Sequence, residues 1–346
     1  MTYIVGINKK EYEFVTVISD IMVTKRYPDG SIVRENTALK TGLLFKGCLY
    51  GLSGDADAGQ DFLLGFKQKV NKTNSIGENV EEFKEYIRSA EWKKGKGFEI
   101  LFAIRNPSPD LYLLDSNNPE LVLCKESLVT LGSGRRHFRN MVSNMKKHAD
   151  STIMQALKEK RTPIVYYPCF MCLWLSEQTL GFESSYLEKI GVGGIFHYCY
   201  QTSGKEARHQ PIIFVLFSFD KSTQKISHKA YRISFINGFL LVDYLTDKKR
   251  ITFTSDVERK DLRGYSVQEN REFLKEIYRR SDAMPLYYFC GFAIYDPRHR
   301  GYYRGHFSSS RGKKVIDKEG NIESNYLKEI TDIFESPRYL NQIGKC

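Results

Sequence analysis

The chain has 346 residues, of which 41% are hydrophobic and 27% charged, a composition typical of a soluble globular protein with room for two domains. Its formal net charge is +11, but the basic residues are dispersed, so the sequence favours a solvated basic surface over a nucleic-acid partner. The chain has neither an apolar run of about 18 residues nor a secretory signal, and its seven cysteines are an odd number, so we expect no membrane contact and a reduced, cytoplasmic protein.

Short β-rich runs separated by turn residues open the chain and predict two hairpins. The turn of the first is the polar stretch Asn8–Glu11, and a further turn is predicted at Tyr27–Ser31. The hairpin strands cover residues 3–7 and 13–19, then 43–45 and 48–52.

Apolar residues at helical spacing predict two helices after the hairpins. Phe62 and Phe66 share one face of a helix over 61–70, and a second helix begins near Asn79 with Phe83 on its buried face. Strands are then expected at 98–104, 111–114, 121–124 and 128–131, followed by Gly132-Ser133-Gly134 and a polar-rich helix to about 160.

The second half alternates strands and helices less regularly. The run 211–219 is strongly apolar, and its expected partner strand is 225–235. Further strands are expected at 164–167, 195–200, 238–245 and 250–254, with helices at 170–179, 267–279 and 324–334.

Five short motifs occur in one order along the first half: Thr2-Tyr3-Ile4-Val5, Ile18-Ser19-Asp20, Ala38-Leu39-Lys40, Tyr50-Gly51-Leu52-Ser53-Gly54-Asp55-Ala56-Asp57 and Leu131-Gly132-Ser133-Gly134. In order and spacing they resemble the proteasome β-subunits and their bacterial HslV-like relatives, which are N-terminal-nucleophile hydrolases. The resemblance covers residues 2 to about 160 well and continues more faintly to about 220 through Gly193-Gly194.

The resemblance implies a fold and a domain organisation. Residues 1–220 would form an α+β domain, a four-layer αββα sandwich of two mainly antiparallel sheets. Residues 221–346 would be a C-terminal extension of mixed strands and helices. One arrangement open to this extension is to pack on the first domain.

The resemblance also implies a catalytic site. Once Met1 is removed, Thr2 would be the nucleophile and its own α-amine the base. Lys40 would keep that amine neutral, Asp20 would orient Lys40, and Ser133 would hydrogen-bond the amine. The Gly54 backbone N–H would point to the oxyanion position, with the Gly132 and Gly134 backbone shaping the facing turn.

The resemblance also implies which partners the chain has. The sequence departs from the family before the later Gly-Gly. A peptide or unfolded-protein substrate, a homo-oligomer and an ATP-dependent unfoldase partner are implied, and no cofactor or metal. Many family members have Asp and Ser just before the later Gly-Gly, where this chain has Lys189 and Val192.

Structural explanations and other functions are alternatives to this hypothesis. Taken singly, Asp20 is typical of a strand end, Lys40 of a surface, and Gly54 and Gly132 of tight turns. A catalytically silent proteasome-like scaffold and an amidase acting on small amides are the competing functions.

Two other patterns suggest chemistry that we do not favour. Cys169 and Cys172 form a CxxC, and with His197 and Cys199 they offer four zinc ligands, but the apolar surroundings favour buried structural thiols. The Arg298–Arg304 stretch mixes arginine with tyrosine, as in single-strand nucleic-acid binding, but we expect a solvated loop.

Overall fold

The computed structural model describes a large part of the chain, and its strands and helices fall in two compact units. One unit comprises Met1–His209, Asn237–Phe239 and Phe253–Lys275, and the other comprises Gln210–Ile236, Leu240–Thr252 and Glu276–Cys346. The described residues are 3–26, 29–36, 39–70, 75–89, 97–158, 167–168, 171–172, 175, 192, 196–203, 206–208, 212–220, 225–236, 239–245, 249–254, 275–276, 279, 287–296 and 301–309.

The elements follow one another in this order. The strands are β1 (Ile4–Lys9), β2 (Phe14–Asp20), β3 (Met22–Arg26), β4 (Ile32–Asn36), β5 (Thr41–Phe45), β6 (Cys48–Gly54), β7 (Phe98–Arg105), β8 (Pro109–Asp115), β9 (Asn118–Leu123), β10 (Leu128–Leu131), β11 (Phe196–Thr202), β12 (Glu206–Arg208), β13 (Ile212–Asp220), β14 (Lys225–Ile236), β15 (Phe239–Tyr244), β16 (Lys249–Thr254), β17 (Tyr287–Asp296) and β18 (Gly301–Ser309). The helices are α1 (Ala56–Lys67), α2 (Ile76–Arg88) and α3 (Arg135–Lys158).

Two antiparallel sheets form the centre of the first unit. The first sheet has the order β10-β1-β2-β11-β12 and the second β5-β6-β7-β8-β9. They pack face to face over a core of aliphatic side chains that includes Ile4, Val17 and Leu101. Gly51 lets the sheets approach closely, because a Cβ there would lie 2.7 Å from Val17 and 2.8 Å from Ile4. The core fixes which face of each strand is buried.

Helices α1 and α2 cover the outer face of the second sheet with an aromatic cluster. Phe62, Phe66 and Phe83 are almost fully buried there, and the Phe66 and Phe83 ring centroids lie 4.7 Å apart. The predicted buried face of both helices is therefore confirmed. The start predicted for α2 at Asn79 is wrong, because Ser75 caps the helix in a capping box with Glu78.

Helix α3 follows β10 and is tied to the first sheet by an ion pair. The Lys9 ammonium at the end of β1 lies 2.6 Å from the Asp150 carboxylate. Lys9 stands opposite Phe14, whose ring contacts Tyr167, so this pair lies on the sheet face away from the second sheet. Tyr167 is helical, which corrects the strand predicted over 164–167 where that range is described.

The second unit contains a six-stranded sheet of order β16-β15-β14-β13-β17-β18. The predicted pairing of β13 with β14 is confirmed as antiparallel, whereas β13 and β17 are parallel. The solvated loop expected over Arg298–Arg304 is wrong where that stretch is described, because β18 pairs with β17 from Gly301 onward. Its tyrosines and phenylalanine are good strand formers, and the ladder with β17 pairs the backbone groups of alternate residues.

The first unit confirms the expected α+β class with antiparallel sheets, while the assignment to the N-terminal-nucleophile fold remains a prediction. The sequence division at residue 220 places β13 in the first domain, whereas β13 is a central strand of the second unit's sheet. Within the described residues, no helix combines the length and apolar character needed to span a bilayer.

Candidate functional site

The Asp20 carboxylate at the end of β2 gathers three parts of the first unit. The side chain is fully buried, and one of its oxygens, Oδ1, accepts two hydrogen bonds. The Tyr3 backbone N–H donates from 3.0 Å and the Lys40 ammonium from 2.8 Å. The start of β1, the end of β2 and the residue before β5 therefore meet at a single carboxylate oxygen.

Backbone register explains why these residues meet. Ile4 pairs with Ser19 in the β1–β2 ladder, so Tyr3 stands opposite Asp20, whose N–H points to the Tyr3 carbonyl at 3.4 Å. Lys40 is fixed from the second sheet, because its carbonyl accepts the Leu52 N–H at 2.7 Å. Each sheet thus contributes one member of the ion pair.

Burial makes the charge of Lys40 depend on Asp20. Lys40 is only 6% exposed, and removal from water lowers the pKa of its ammonium. Attraction to Asp20 and the hydrogen bond between them act in the opposite direction and offset part of that change. Without Asp20, nothing would offset the effect of burial to the same extent, and the pKa of the Lys40 ammonium would fall further.

Two glycine turns lie at this same end of the two sheets. Gly54 ends β6 with φ of +91°, and a Cβ there would overlap the Gly97 carbonyl oxygen. Gly132 follows β10 with φ of +83°, and its N–H donates to the Glu99 carboxylate. Glu99 pairs with Ser53 beside Gly54 in the β6–β7 ladder, so Glu99 links the two turns.

The Gly132–Gly134 turn also touches the start of β1. A Cβ on the buried Gly134 would lie 2.8 Å from the Tyr3 ring and 2.9 Å from Val192. Ser133 lies between the two glycines and is half-buried. Val192, which the resemblance aligns with a polar residue of many family members, is therefore beside this turn and fully buried.

Several predicted positions lie outside the described residues. Asp20 and Lys40 are brought together, and Gly54, Gly132, Ser133 and Gly134 are placed at the same end of the sheets. The positions outside the described residues are Met1, Thr2, Ala38, Cys169, Lys189, Gly193, Gly194, Arg298 and the expected helix 324–334.

A histidine that the sequence analysis assigned to a different site lies close to Lys40. His197 on β11 pairs with Ser19, and its Nδ1 lies 3.0 Å from the Thr41 Oγ1. The same hydroxyl lies 3.5 Å from the Cys199 Sγ. Burial, and then the charge of Lys40, lower the pKa of His197 to about 3, so the imidazole is neutral at physiological pH.

The structure describes three of the four residues in the zinc pattern, Cys172, His197 and Cys199. His197 and Cys199 face Thr41, and Cys172 is buried. Among the residues that the structure describes, no three His, Cys, Asp or Glu side chains gather as a metal would require. The sequence signal that pointed to His197 was its position, with Cys199, after the Cys169/Cys172 pair, and nothing in that spacing indicates Thr41 or Lys40 as neighbours.

No model of a known protein family matches the chain, and no curated protein matches it either. The resemblance to proteasome β-subunits therefore remains a prediction that rests on the sequence motifs.

Proposed function

We propose that this chain is an N-terminal threonine hydrolase that cleaves amide bonds through an acyl ester on Thr2. The observation that carries the proposal is the Asp20 oxygen that binds both the Tyr3 amide and the Lys40 ammonium. Thr2 is joined to that amide nitrogen by its own peptide bond. The Asp20–Lys40 ion pair would therefore hold in place the backbone that carries a nucleophile at Thr2.

The chemistry of a terminal threonine needs such surroundings. Its α-amine acts as a base only when neutral, and a nearby ammonium disfavours the protonated form. Lys40 is suited to that role, because Asp20 stabilises its charge in a buried position. The proposal therefore gives Lys40 the task of tuning the amine, and gives Asp20 the task of holding both.

The reaction follows from these roles. The Thr2 hydroxyl gives its proton to the Thr2 amine while Oγ bonds to the scissile carbonyl carbon. When the C–N bond breaks, that proton passes to the leaving nitrogen and the acyl group stays on Oγ. Water then gives a proton to the amine while its oxygen bonds to the ester carbon. When the C–Oγ bond breaks, the amine returns that proton to Oγ, which releases the acid and restores Thr2. A backbone N–H at the Gly54 turn is the proposed donor to the oxyanion.

The favoured substrate class is a peptide or an unfolded protein, and a homo-oligomer with an ATP-dependent unfoldase is the assembly that the resemblance implies. The competing amidase would use the same residues on a small amide. A silent scaffold would keep the fold and lack the nucleophile. A cytoplasmic location remains a prediction.

Intact mass of the natively expressed chain and labelling with a peptide epoxyketone test the proposal. We expect a mass without Met1 and one modification, at Thr2. Labelling should vanish in Thr2→Ala, persist in Thr2→Ser, and fall about a hundredfold in Lys40→Ala because the amine is protonated. Lys46→Ala, at an exposed turn, is the matched control and should label normally.

Each other outcome counts against a peptidase that acts through Thr2. A chain that retains Met1, or a probe that labels Thr2→Ala as well as the wild type, would leave the scaffold as the better hypothesis. Turnover of small amides without turnover of peptides would favour the amidase.

A further inference from the structure

Strand β10 is an edge strand in the part of the first sheet that the structure describes. The Asn8 N–H donates to the Ser127 carbonyl at 2.9 Å, so the pair they form is a hydrogen-bonded one in the β1–β10 ladder. Such pairs alternate with non-bonded pairs along an antiparallel ladder. The N–H and C=O groups of Leu128 and Thr130 therefore point away from β1.

The second sheet has an exposed apolar residue on the face that it turns toward the first sheet. Leu113 on β8 packs at the margin of the core between the sheets, and Val122 on β9 stands directly opposite it. Opposite residues of an antiparallel pair share a face, so Val122 also faces the first sheet's side. It is nevertheless 50% exposed. Among the strands that the structure describes, none lies beside β10 on its outer side to cover it.

A cavity of about 440 Å³ lies along the same edge. Its walls are β10 with the two residues before it, Leu113 and one face of α3. The volume is at the low end of those that bind ligands. The α3 wall supplies four basic side chains, whereas Glu126 is the one carboxylate of the lining. These bases are Arg135, Arg139, Lys146 and Lys147.

Three of these basic side chains already have acidic neighbours, and Arg135 is near enough to Glu99 to favour the charged form of that carboxyl. Lys146 lies 3.0 Å from Asp150, and Arg139 lies 3.8 Å from Glu126, with both side chains of the latter pair exposed. Asp150 is shared with Lys9, so one carboxylate faces two ammonium groups there. The cavity wall formed by α3 therefore keeps a positive excess.

We propose that an extended acidic peptide from a partner protein binds here by adding a strand to β10. Its backbone would pair with Leu128 and Thr130, the mode of recognition by which exposed sheet edges bind peptides. Side chains alternate along a strand, so one set would cover Val122 and Leu113 while the other faces α3. The peptide that fits best alternates apolar residues with glutamate or aspartate.

This surface goes beyond the proposed hydrolase and does not depend on it. Strand β10 pairs with one edge of β1, whereas Asp20 belongs to β2 on the other edge. Peptide binding at β10 can therefore be measured in a Thr2→Ala chain, where a probe cannot be cleaved by the proposed mechanism. Loss of hydrolysis and loss of peptide binding are separate results.

Fluorescence anisotropy with a labelled heptapeptide of alternating glutamate and valine tests the proposal. We expect saturable binding, at least tenfold weaker for the peptide with lysine in place of glutamate. Two further peptides carry N-methyl groups on all valines or on all glutamates. One of these should bind at least tenfold more weakly and the other nearly normally, because a strand pairs through one edge.

Variants of the full chain test the surface from the other side. Arg139→Glu with Lys147→Glu should weaken binding of the acidic peptide about tenfold. Lys46→Glu with Arg88→Glu reverses two exposed cations elsewhere in the unit and should leave it unchanged. Leu128→Pro removes one outward N–H from an edge strand, where proline is tolerated, and should also weaken binding.

Four results would overturn the proposal. The first is an absence of saturable binding, and the second is that both methylated peptides bind as tightly as the parent peptide. The third is that the Arg139→Glu, Lys147→Glu variant binds the acidic peptide as tightly as the wild type. The fourth is that single-stranded RNA displaces the peptide while methylation has no effect. In the first case the basic residues of α3 protect the edge from pairing rather than recruit a partner.

Discussion

Asp20 and Lys40 form a salt bridge of 2.8 Å in which neither side chain is more than 7% exposed. Such a pair differs from a surface ion pair, because neither group regains water when its partner is removed. The Tyr3 N–H shares the same carboxylate oxygen, so loss of the carboxylate also loosens the start of β1. This geometry leads to the first prediction.

Asp20→Asn should destabilise the first unit by about 3–5 kcal/mol and abolish epoxyketone labelling of Thr2. The amide leaves Lys40 buried without a countercharge, which lowers the pKa of Lys40 further. Urea unfolding and probe labelling measure the two effects. Asp57→Asn, at an exposed position in the first turn of α1, is the matched control.

A double variant tests whether the pair acts as a unit. Asp20→Asn combined with Lys40→Met should be less destabilised than the sum of the single variants, because the uncompensated charge is gone. Additive free energies of unfolding would contradict the buried pair. Unchanged labelling in Asp20→Asn would contradict its part in the proposed site.

A comparison of two glycines isolates the close approach at the Gly54 turn. Gly54 and Gly30 have similar positive φ angles, +91° and +83°. A Cβ at Gly30 meets nothing within 4 Å, whereas one at Gly54 overlaps the Gly97 carbonyl oxygen. We expect Gly30→Ala to cost about 1 kcal/mol and Gly54→Ala about 3 kcal/mol, as measured by urea unfolding. Equal costs would mean that strain in φ alone decides.

The sequence predicted local structure well where the signal lay within one element. β-rich runs on either side of a polar turn predicted β1 and β2, and helical spacing predicted the faces of Phe62, Phe66 and Phe83. The start of α2 was missed although Ser75 and Glu78 form a capping-box pattern, because Asn79 is itself a good cap residue.

Parts of the candidate site depend on strand order, which local patterns do not carry. Strand β11 lies next to β2 although about 180 residues separate them, and that pairing brings His197 to Thr41 and near Lys40. The meeting of Asp20 with Lys40 was expected from the family resemblance. Glu99, which accepts the Gly132 N–H, had no sequence signal at all.

Asp150 should be needed for the packing of α3 on the first sheet. Its carboxylate lies 2.6 Å from the Lys9 ammonium and accepts the Tyr167 hydroxyl at 2.8 Å. Asp150→Asn leaves the buried Lys9 without its negative partner, so we expect a loss of about 2–3 kcal/mol and faster amide exchange in α3. Hydrogen exchange followed by mass spectrometry measures this change.

An exposed pair of similar length provides the control for Asp150. Glu81 and Lys84 lie 2.7 Å apart, but the Glu81 side chain is 65% exposed. Glu81→Gln should change stability by less than about 1 kcal/mol, because water compensates for the lost partner. If both variants cost the same, burial of Lys9 is not what makes the Asp150 contact important.

His197 should make the first unit sensitive to acid. An unfolded histidine titrates near pH 6.5, whereas the folded His197 has a pKa of about 3. Between these values the unfolded chain binds a proton that the folded chain does not. The free energy of unfolding therefore falls as the pH drops through this window, by up to about 1.4 kcal/mol per pH unit from this residue.

His197→Gln removes the titrating group and keeps a polar side chain beside Thr41. Urea unfolding of both proteins at several pH values from 7 to about 4 should give a shallower loss of stability for the variant, with the curves separating only below about pH 6.5. The difference between the curves cancels the carboxylates that titrate in both proteins. Parallel curves, or an imidazole NMR shift that titrates near pH 6.5 in the folded protein, would show that His197 is not held neutral by burial and by Lys40.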